Sequence, residues 1–206
     1  WSCVDNSNQN PVNHPLTLNE GQNVTCTITN NDQPGEIHGM KFEDMNGNGT
    51  KDGGDLGLLG WTIYLDLDGN GSLGGGEPST VTDANGHYSF TGLSAGTYKV
   101  REVGQAGWTQ TTVNPNDVIL VNGQVVNNID FGNFELVTIA AEKFSDLNAD
   151  HTQDGGEPKL SGWTIRLDKQ NDANAPICTG GVVNGEFCEK VTNVSGNVSF
   201  TDLGPG

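Results

Sequence analysis

Short apolar runs alternate with polar positions along most of the chain, and turn residues separate them. Trp61-Thr-Ile-Tyr-Leu65 shows the pattern, closing on a break rich in Asp, Gly and Asn. Period-two alternation over such short runs signals half-buried strands. Strands are expected near 36–43, 60–67, 79–83, 87–91, 97–103, 117–121 and 124–132. No segment carries an apolar stripe at helical spacing, so no helix is expected. Asn85-Gly86 and Asn122-Gly123 lie between runs and read as hairpin turns, because Asn-Gly tolerates positive φ. About seven strands in roughly 100 residues fit an immunoglobulin-like β-sandwich, so the expected class is all-β.

An internal repeat sets the organisation. Residues 37–66 align without gaps to 139–168, with 16 of 30 positions identical. The match resumes between 81–96 and 191–206, eight residues later in the second copy, and that insertion holds Cys178 and Cys188. The beginning of the chain repeats too. Leu18-Asn-Glu-Gly-Gln-Asn-Val24 is similar to Leu120-Val-Asn-Gly-Gln-Val-Val126, Trp1 corresponds to Trp108, and Thr29-Asn30 corresponds to Gly132-Asn133. Residues 1–33 therefore read as the C-terminal part of one sandwich, 34–135 as a complete sandwich, and 136–206 as the N-terminal part of another. Residues 97–107 have no counterpart in the two partial units. The ends read as those of a processed chain or a window from a longer one. A half-sandwich has open sheet edges, and either a tandem array or strand addition from a second copy closes them.

The four cysteines are Cys3, Cys26, Cys178 and Cys188, with no C-x-x-C pair and no accompanying His cluster. Zinc is not expected. Cys3 and Cys26 flank two strands, and Cys178 and Cys188 bracket a hairpin, so two local disulfides and an oxidising, extracellular setting fit best.

Charge narrows the partners. With 26 acidic against 9 basic residues, the formal net charge is -17. That excludes a phosphate-binding surface for nucleic acid. No apolar run reaches the length of a membrane-spanning helix. Ten of the carboxylates sit in three loops whose spacing suits a hard cation. In the first, Asp44, Asn46, Asn48, Asp52 and Asp55 fall at positions 1, 3, 5, 9 and 12, with Gly49 at 6 and Thr50 offering its carbonyl at 7. In the second, Asp66, Asp68, Asn70 and Glu77 fall at 1, 3, 5 and 12, with Ser72 at 7. In the third, Asp146, Asn148, Asp150, Asp154 and Glu157 fall at 1, 3, 5, 9 and 12, Thr152 at 7, and His151 replaces the glycine at 6. Alternate residues turn oxygens inward and the glycine allows the sharp bend, as in a twelve-residue calcium loop. Ca²⁺ is the expected ion. Many protein oxygens in flexible geometry suit it better than Mg²⁺. Three bound ions move the formal charge from -17 to -11. Without flanking helices the ion is expected to be structural, adding its affinity to folding stability.

Lys41-Phe-Glu-Asp44 with its Asn/Asp loop, Leu58-Leu-Gly-Trp-Thr-Ile63, and Thr82-Asp-Ala-Asn-Gly-His-Tyr-Ser-Phe90 running on to Glu102 carry a family likeness. The chain resembles the B-type repeats of bacterial serine-aspartate repeat surface proteins, and is similar to B repeats of collagen-binding adhesins and Gram-positive pilins. The resemblance implies a prealbumin-like sandwich, calcium in the loops, and a stalk or fibre role at the cell surface. The departures are Asp55 for Glu, His151 for Gly, and the disulfides. Some relatives of this kind form an intramolecular Lys–Asn isopeptide bond. The resemblance implies Lys41 as nucleophile, Asn133 as acceptor and Glu102 as proton shuttle. Lys41, however, lies one residue further from the loop Asp than in the bond-forming pattern, and strict alternation then turns it outward.

Catalysis has no support. His14, His38, His87 and His151 are scattered, and Gly74-Gly-Gly76 lacks the Lys-Ser/Thr of a phosphate loop. Trp61 and Trp163 follow a Gly at equivalent repeat positions and are expected to serve repeated core or interdomain packing. Sequons start at Asn23, Asn48, Asn70, Asn193 and Asn197, which leaves surface glycans open as a partner class. The expected protein is a non-enzymatic extracellular structural protein, a calcium-stiffened fibre or pilus-like filament that self-associates end to end. The alternative is the stalk or ligand-binding module of an adhesin.

Overall fold

The computed structural model describes residues 2–6, 11–12, 17–27, 32–168, 182–183 and 187–205. Every regular element among them is a strand. The chain opens with β1 (Ser2–Asp5), β2 (Pro11–Val12) and β3 (Val24–Thr27). They form one antiparallel sheet in the order β2-β1-β3, pairing Cys3 with Cys26.

The central unit holds β4 (Gly35–Glu43), β5 (Thr62–Leu65), β6 (Ser79–Val81), β7 (His87–Leu93), β8 (Gly96–Tyr98), β9 (Val100–Glu102), β10 (Trp108–Gln110), β11 (Val118–Leu120), β12 (Val125–Val126) and β13 (Phe131–Glu135). β4 is the hub. It pairs antiparallel with β7 and, on its other edge, parallel with β12 and then β13, which in turn pairs with β10. A second layer comes from β6-β5-β9 and from β11-β8. Ile37, Tyr88, Phe90 and Phe131 from the first layer and Ile63, Leu65, Val100, Val118 and Leu120 from the second form one buried cluster. Two sheets sharing one core make a β-sandwich.

The third unit holds β14 (Val137–Glu142), β15 (Thr164–Asp168), β16 (Val182–Val183), β17 (Phe187–Val191) and β18 (Asn197–Leu203). β14 pairs with β18, and β15-β17-β16 form the facing sheet. Their core is small: Cys188, Val198, Phe200 and Leu203, with Ala141, Ile165 and Leu167 against it.

The structure alters four expectations. The run 97–103 splits at Lys99, where the chain leaves β11's sheet and joins β5's. The run 124–132 splits around Asn128, which takes a positive φ of 64°. Strand β10 was not expected. Asn85-Gly86 and Asn122-Gly123 make turns, closed by Gly86 N–H to Asp83 and Gln124 N–H to Val121. They are not hairpins, because the strands they join pair elsewhere. A type I′ hairpin turn needs positive φ at both central residues; the turn closed by Gly86 has Ala84 and Asn85 at its centre, neither at positive φ, and the other has only Gly123 there.

Trp61 is buried and meets Trp108 edge-on at 5.7 Å, as core packing requires. Trp163 is not buried: 52% of it is exposed. Its repeat position is the same, but among the described residues no strand lies where β10 covers Trp61. Trp1 lies outside the described residues.

Candidate calcium loops and a buried lysine

The three acidic loops share one hydrogen-bond scheme. The carboxylate at position 1 turns back over the loop. Asp44 accepts from Asn48 and Gly49 N–H, Asp66 from Gly69 and Gly71, and Asp146 from Asp150 and His151. The oxygen at position 3 accepts from the N–H at 5, and that at 5 from the N–H at 7, in every loop. The carboxylate at position 12 braces the N–H groups at 2 and 9. Asp55 takes Met45 and Asp52, Glu77 takes Leu67 and Gly74, and Glu157 takes Leu147 and Asp154. Each Asp or Asn thus holds one lone pair on the backbone and keeps another free. The spacing read from sequence is therefore a folded geometry in all three loops. Gly49 and Gly71 take φ of 76° and 75°, and His151 is held at 68° in the same place, where a side chain is strained.

The loops differ in how their carboxylates converge. Ligand oxygens of Asp66, Asp68 and Glu77 lie within 4.8 Å of one another, the one such triple among the described residues. Uncompensated, three carboxylates at that distance repel, and a divalent cation reverses the sign. In the other loops amide groups separate the acids. Asn46 and Asn48 donate to Asp52, and Asn148 donates to Asp154, at 2.8–3.0 Å. Burial pushes the Asp44 carboxyl up, but hydrogen bonds from Thr111 and from Gly49, Asn48 and Gly47 outweigh it and hold Asp44 below the usual carboxylate range. Ser72 and Thr152 sit at position 7 as expected, with Thr152 also bonded through its hydroxyl to Asp150.

The expectation that Lys41 points outward is wrong. Its side chain is fully buried. Lys41 stays in phase with Ile37 and Gly39 on the inner face; the alternation breaks one residue later, where Phe42 is buried as well. The cause is the hand-over of β4 between partners: antiparallel to β7 up to Met40, parallel to β13 from Lys41. Counting back from the loop Asp crosses that irregularity and gives the wrong face.

Inside, Lys41 Nζ donates to Asn133 Oδ1 and lies 2.9 Å from Glu102 Oε2, while Asn133 Nδ2 donates to Glu102 Oε1 at 2.8 Å. The Nζ also sits over the Trp61 ring, 4.3 Å from its centroid. The contact to Glu102 Oε2 is one of charge, since that oxygen has no aligned hydrogen bond. Burial pulls the Lys41 amine down to about 8, against the opposing pull of Glu102. All three residues named from sequence meet in one place, from β4, β9 and β13.

Cys3 and Cys26 form a disulfide between β1 and β3. Cys188 is buried in β17, across from Val183 in an antiparallel hairpin, and is not a free thiol. Cys178 lies outside the described residues. No helix among those residues is long and apolar enough to cross a membrane.

Residues 35–128 match the SdrD B-like domain family. Serine-aspartate repeat-containing protein D of Staphylococcus aureus (strain Newman) is 29% identical over 175 residues, covering 79% of this chain and 13% of the relative. Serine-aspartate repeat-containing protein F of Staphylococcus epidermidis (strain ATCC 12228 / FDA PCI 1200) is 31% identical over 159 residues, 71% of this chain and 9% of the relative. The chain thus spans a small fraction of the length of these relatives. The streptococcal ancillary pilin superposes with a TM-score of 0.40 at 20% identity, over 85% of this chain and 52% of that one. The major pilin SpaD of Corynebacterium diphtheriae gives 0.40 at 15%, over 82% and 57%.

Proposed function

We propose that the chain, whose residues 35–128 match the SdrD B-like domain family, is a non-enzymatic extracellular structural module whose sandwiches are stiffened by Ca²⁺ and strung end to end in a filament. The supporting observation is the hydrogen-bond scheme repeated in three loops, with the Asp66, Asp68 and Glu77 oxygens within 4.8 Å of each other. The donor set is all oxygen, and by the loop spacing the backbone carbonyls of Thr50, Ser72 and Thr152 would complete it, which suits Ca²⁺. Each ion ties the ends of a loop that connects two strands, β4 to β5 or β5 to β6 in the central unit. Bound to the folded state alone, at ten to a hundred times its dissociation constant, an ion adds about 1–3 kcal/mol per site. The same sandwiches serve the stalk of an adhesin equally well. The test is thermal unfolding and proteolysis of the 206-residue chain with millimolar Ca²⁺ and with chelator. Melting and cleavage that ignore the chelator remove the proposal.

A second reading concerns Lys41, Asn133 and Glu102, and the buried contact of all three favours it. In this reading the neutral Lys41 amine attacks Asn133 Cγ, the new N–C bond replaces the C–Nδ2 bond, Glu102 carries the proton from Nζ to Nδ2, and ammonia leaves. The product is a covalent tie between β4 and β13, which pair in parallel. The intact mass is then lower by one ammonia, and Glu102→Gln restores the unmodified mass. An unmodified mass in the folded protein removes this reading.

A further inference from the structure

Asp44 belongs to two arrangements at once. Its carboxylate is the position-1 oxygen of the first acidic loop, buried and braced by Asn48 and Gly49 N–H. Its own N–H donates to the Asn133 carbonyl oxygen at 2.8 Å, at the end of the stretch where β4 pairs with β13. Asn133 carries the amide that Lys41 Nζ touches, and Lys41 lies three residues before Asp44. Both members of that pair are therefore anchored on one loop residue. In the second loop the matching N–H, of Asp66, goes to the Lys99 carbonyl oxygen instead, and the third loop lies in another unit.

Thr111 makes the connection a second time. Its hydroxyl reaches the Asp44 carboxylate. The same hydroxyl lies 3.0 Å from the Gly132 carbonyl oxygen, which also accepts Thr111 N–H at 2.9 Å. One hydroxyl proton serves one acceptor at a time, so Thr111 stands between the loop and the peptide next to Asn133. The loop also packs on this residue, since a Cβ on Gly49 would lie 3.1 Å from the Thr111 carbonyl oxygen. Gly132 is clamped in turn. A Cβ there would meet the Phe42 ring at 2.5 Å and the Thr111 hydroxyl at 3.2 Å, and its N–H donates to Thr112 Oγ1 at 3.1 Å. Packing this close transmits a displacement instead of absorbing it.

The reaction of Lys41 with Asn133 depends on orientation. Nζ donates to Oδ1, whereas bond formation needs the same amine on Cγ. A misplacement of about 1 Å can change such a rate about a hundredfold. The Asn133 peptide, held by Asp44 N–H and flanked by the Gly132–Thr111 contacts, sets where Cγ stands. The loop bears on that peptide through its charge. Asp44, Asp52 and Asp55 are carboxylates of one loop; uncompensated they repel and loosen it, and a divalent cation reverses the sign.

We propose that Asp44 and Thr111 couple the first loop to the Lys41–Asn133 pair, so that closure of the loop on a divalent cation aims the Asn133 amide at Lys41 and times the cross-link. The step itself keeps its balance: the Nζ–Cγ bond forms, the Cγ–Nδ2 bond breaks, Glu102 carries the proton from Nζ to Nδ2, and ammonia leaves. Thr111 touches neither reacting atom and acts as a positioning residue through Asp44 and Gly132. For a chain that works outside the cell, the bond then waits for calcium-rich surroundings. The coupling rests on both readings above, the loop as a calcium site and the three buried residues as a bond-forming set.

The test makes the 206-residue chain by cell-free translation in the calcium chelator EGTA, then divides it between millimolar Ca²⁺ and fresh EGTA. Intact mass follows the loss of ammonia, and melting of each sample reports folding and calcium binding apart from the bond. The native chain is expected to link about 10- to 100-fold faster in Ca²⁺. Asp44→Asn keeps the N–H to Asn133 and removes the ligand charge, and is expected to link at the EGTA rate in both. Thr111→Val is expected to keep the rise in melting temperature with Ca²⁺ and to lose most of the acceleration. Thr111→Ser, which keeps the hydroxyl, is expected to restore it. Equal rates in Ca²⁺ and EGTA overturn the coupling; if the melting temperature still rises with Ca²⁺, the calcium reading survives. Asp44→Asn accelerated like the native chain, or Thr111→Val linking as fast as it, overturns the coupling and leaves the bond standing. A folded native chain of unmodified mass in Ca²⁺ removes the bond and the coupling together.

Discussion

Lys41 gives the sharpest quantitative prediction. Unlinked, its amine has a folded-state value of about 8 against 10.5 when unfolded. The folded value is the lower one, so between the two the unfolded chain binds more protons. Stability must therefore rise with pH through that window. Integrating between pH 7 and 9.5 gives a gain of about 2 kcal/mol. For a sandwich of roughly 100 residues that is a rise in Tm of about 10 °C. The comparison is with Lys41→Met, which keeps the volume and removes the titration, so that groups other than the ion-pair partner Glu102 cancel in the difference. Denaturant unfolding at several pH values measures it, after intact mass has shown whether ammonia was lost. An unmodified protein whose stability does not gain on that of Lys41→Met across the window refutes the account of Lys41 as a desolvated amine. A protein lighter by one ammonia has nothing left to titrate there, and its curve should run parallel to that of the variant.

Other substitutions separate the two copies and the loops. Glu77→Gln keeps one acceptor oxygen, for Leu67 or for Gly74 N–H but not for both, and removes one of three converging charges; calorimetry should show one weakened calcium site and a stabilisation by Ca²⁺ reduced by about 1–3 kcal/mol. Trp61→Ala should cost about 3–5 kcal/mol in denaturant unfolding, because the ring is 2% exposed between Lys41 and Trp108. Trp163→Ala, at 52% exposure, should cost the monomer less than about 1 kcal/mol by the same assay. Gly57→Ala should lower the melting free energy by about 2 kcal/mol or more, since its Cβ would lie 2.0 Å from the Asn85 carbonyl oxygen and two backbone segments must part.

The features legible in the sequence were the local ones. The loop ligands follow a spacing within twelve residues, and Asx-type hydrogen bonds between neighbours enforce it whatever the rest of the fold does. The repeat was legible because it is written twice. The inward face of Lys41 was not, because it depends on β4 changing partners beside Met40, a contact with residues about 90 positions away. The break at Lys99 has the same origin: the chain moves from the sheet of β11 to that of β5, and alternation alone does not register a change of partner. At Asn128 the chain stays beside β4 and breaks on a positive φ of 64°. The exposure of Trp163 has a further reason. Position in a repeat predicts burial only when the covering strand is present, and the strand that covers Trp61 comes from a segment far along the chain.

The central claim is that these loops hold Ca²⁺ and that the ions stiffen the sandwiches. Isothermal titration of the metal-free chain with Ca²⁺, followed by melting of the same sample, tests it most directly. The account predicts three sites on the chain, the tightest among Asp66, Asp68 and Glu77, and a melting temperature that climbs as they fill. No binding at millimolar Ca²⁺, or binding that leaves the melting temperature where it was, contradicts it.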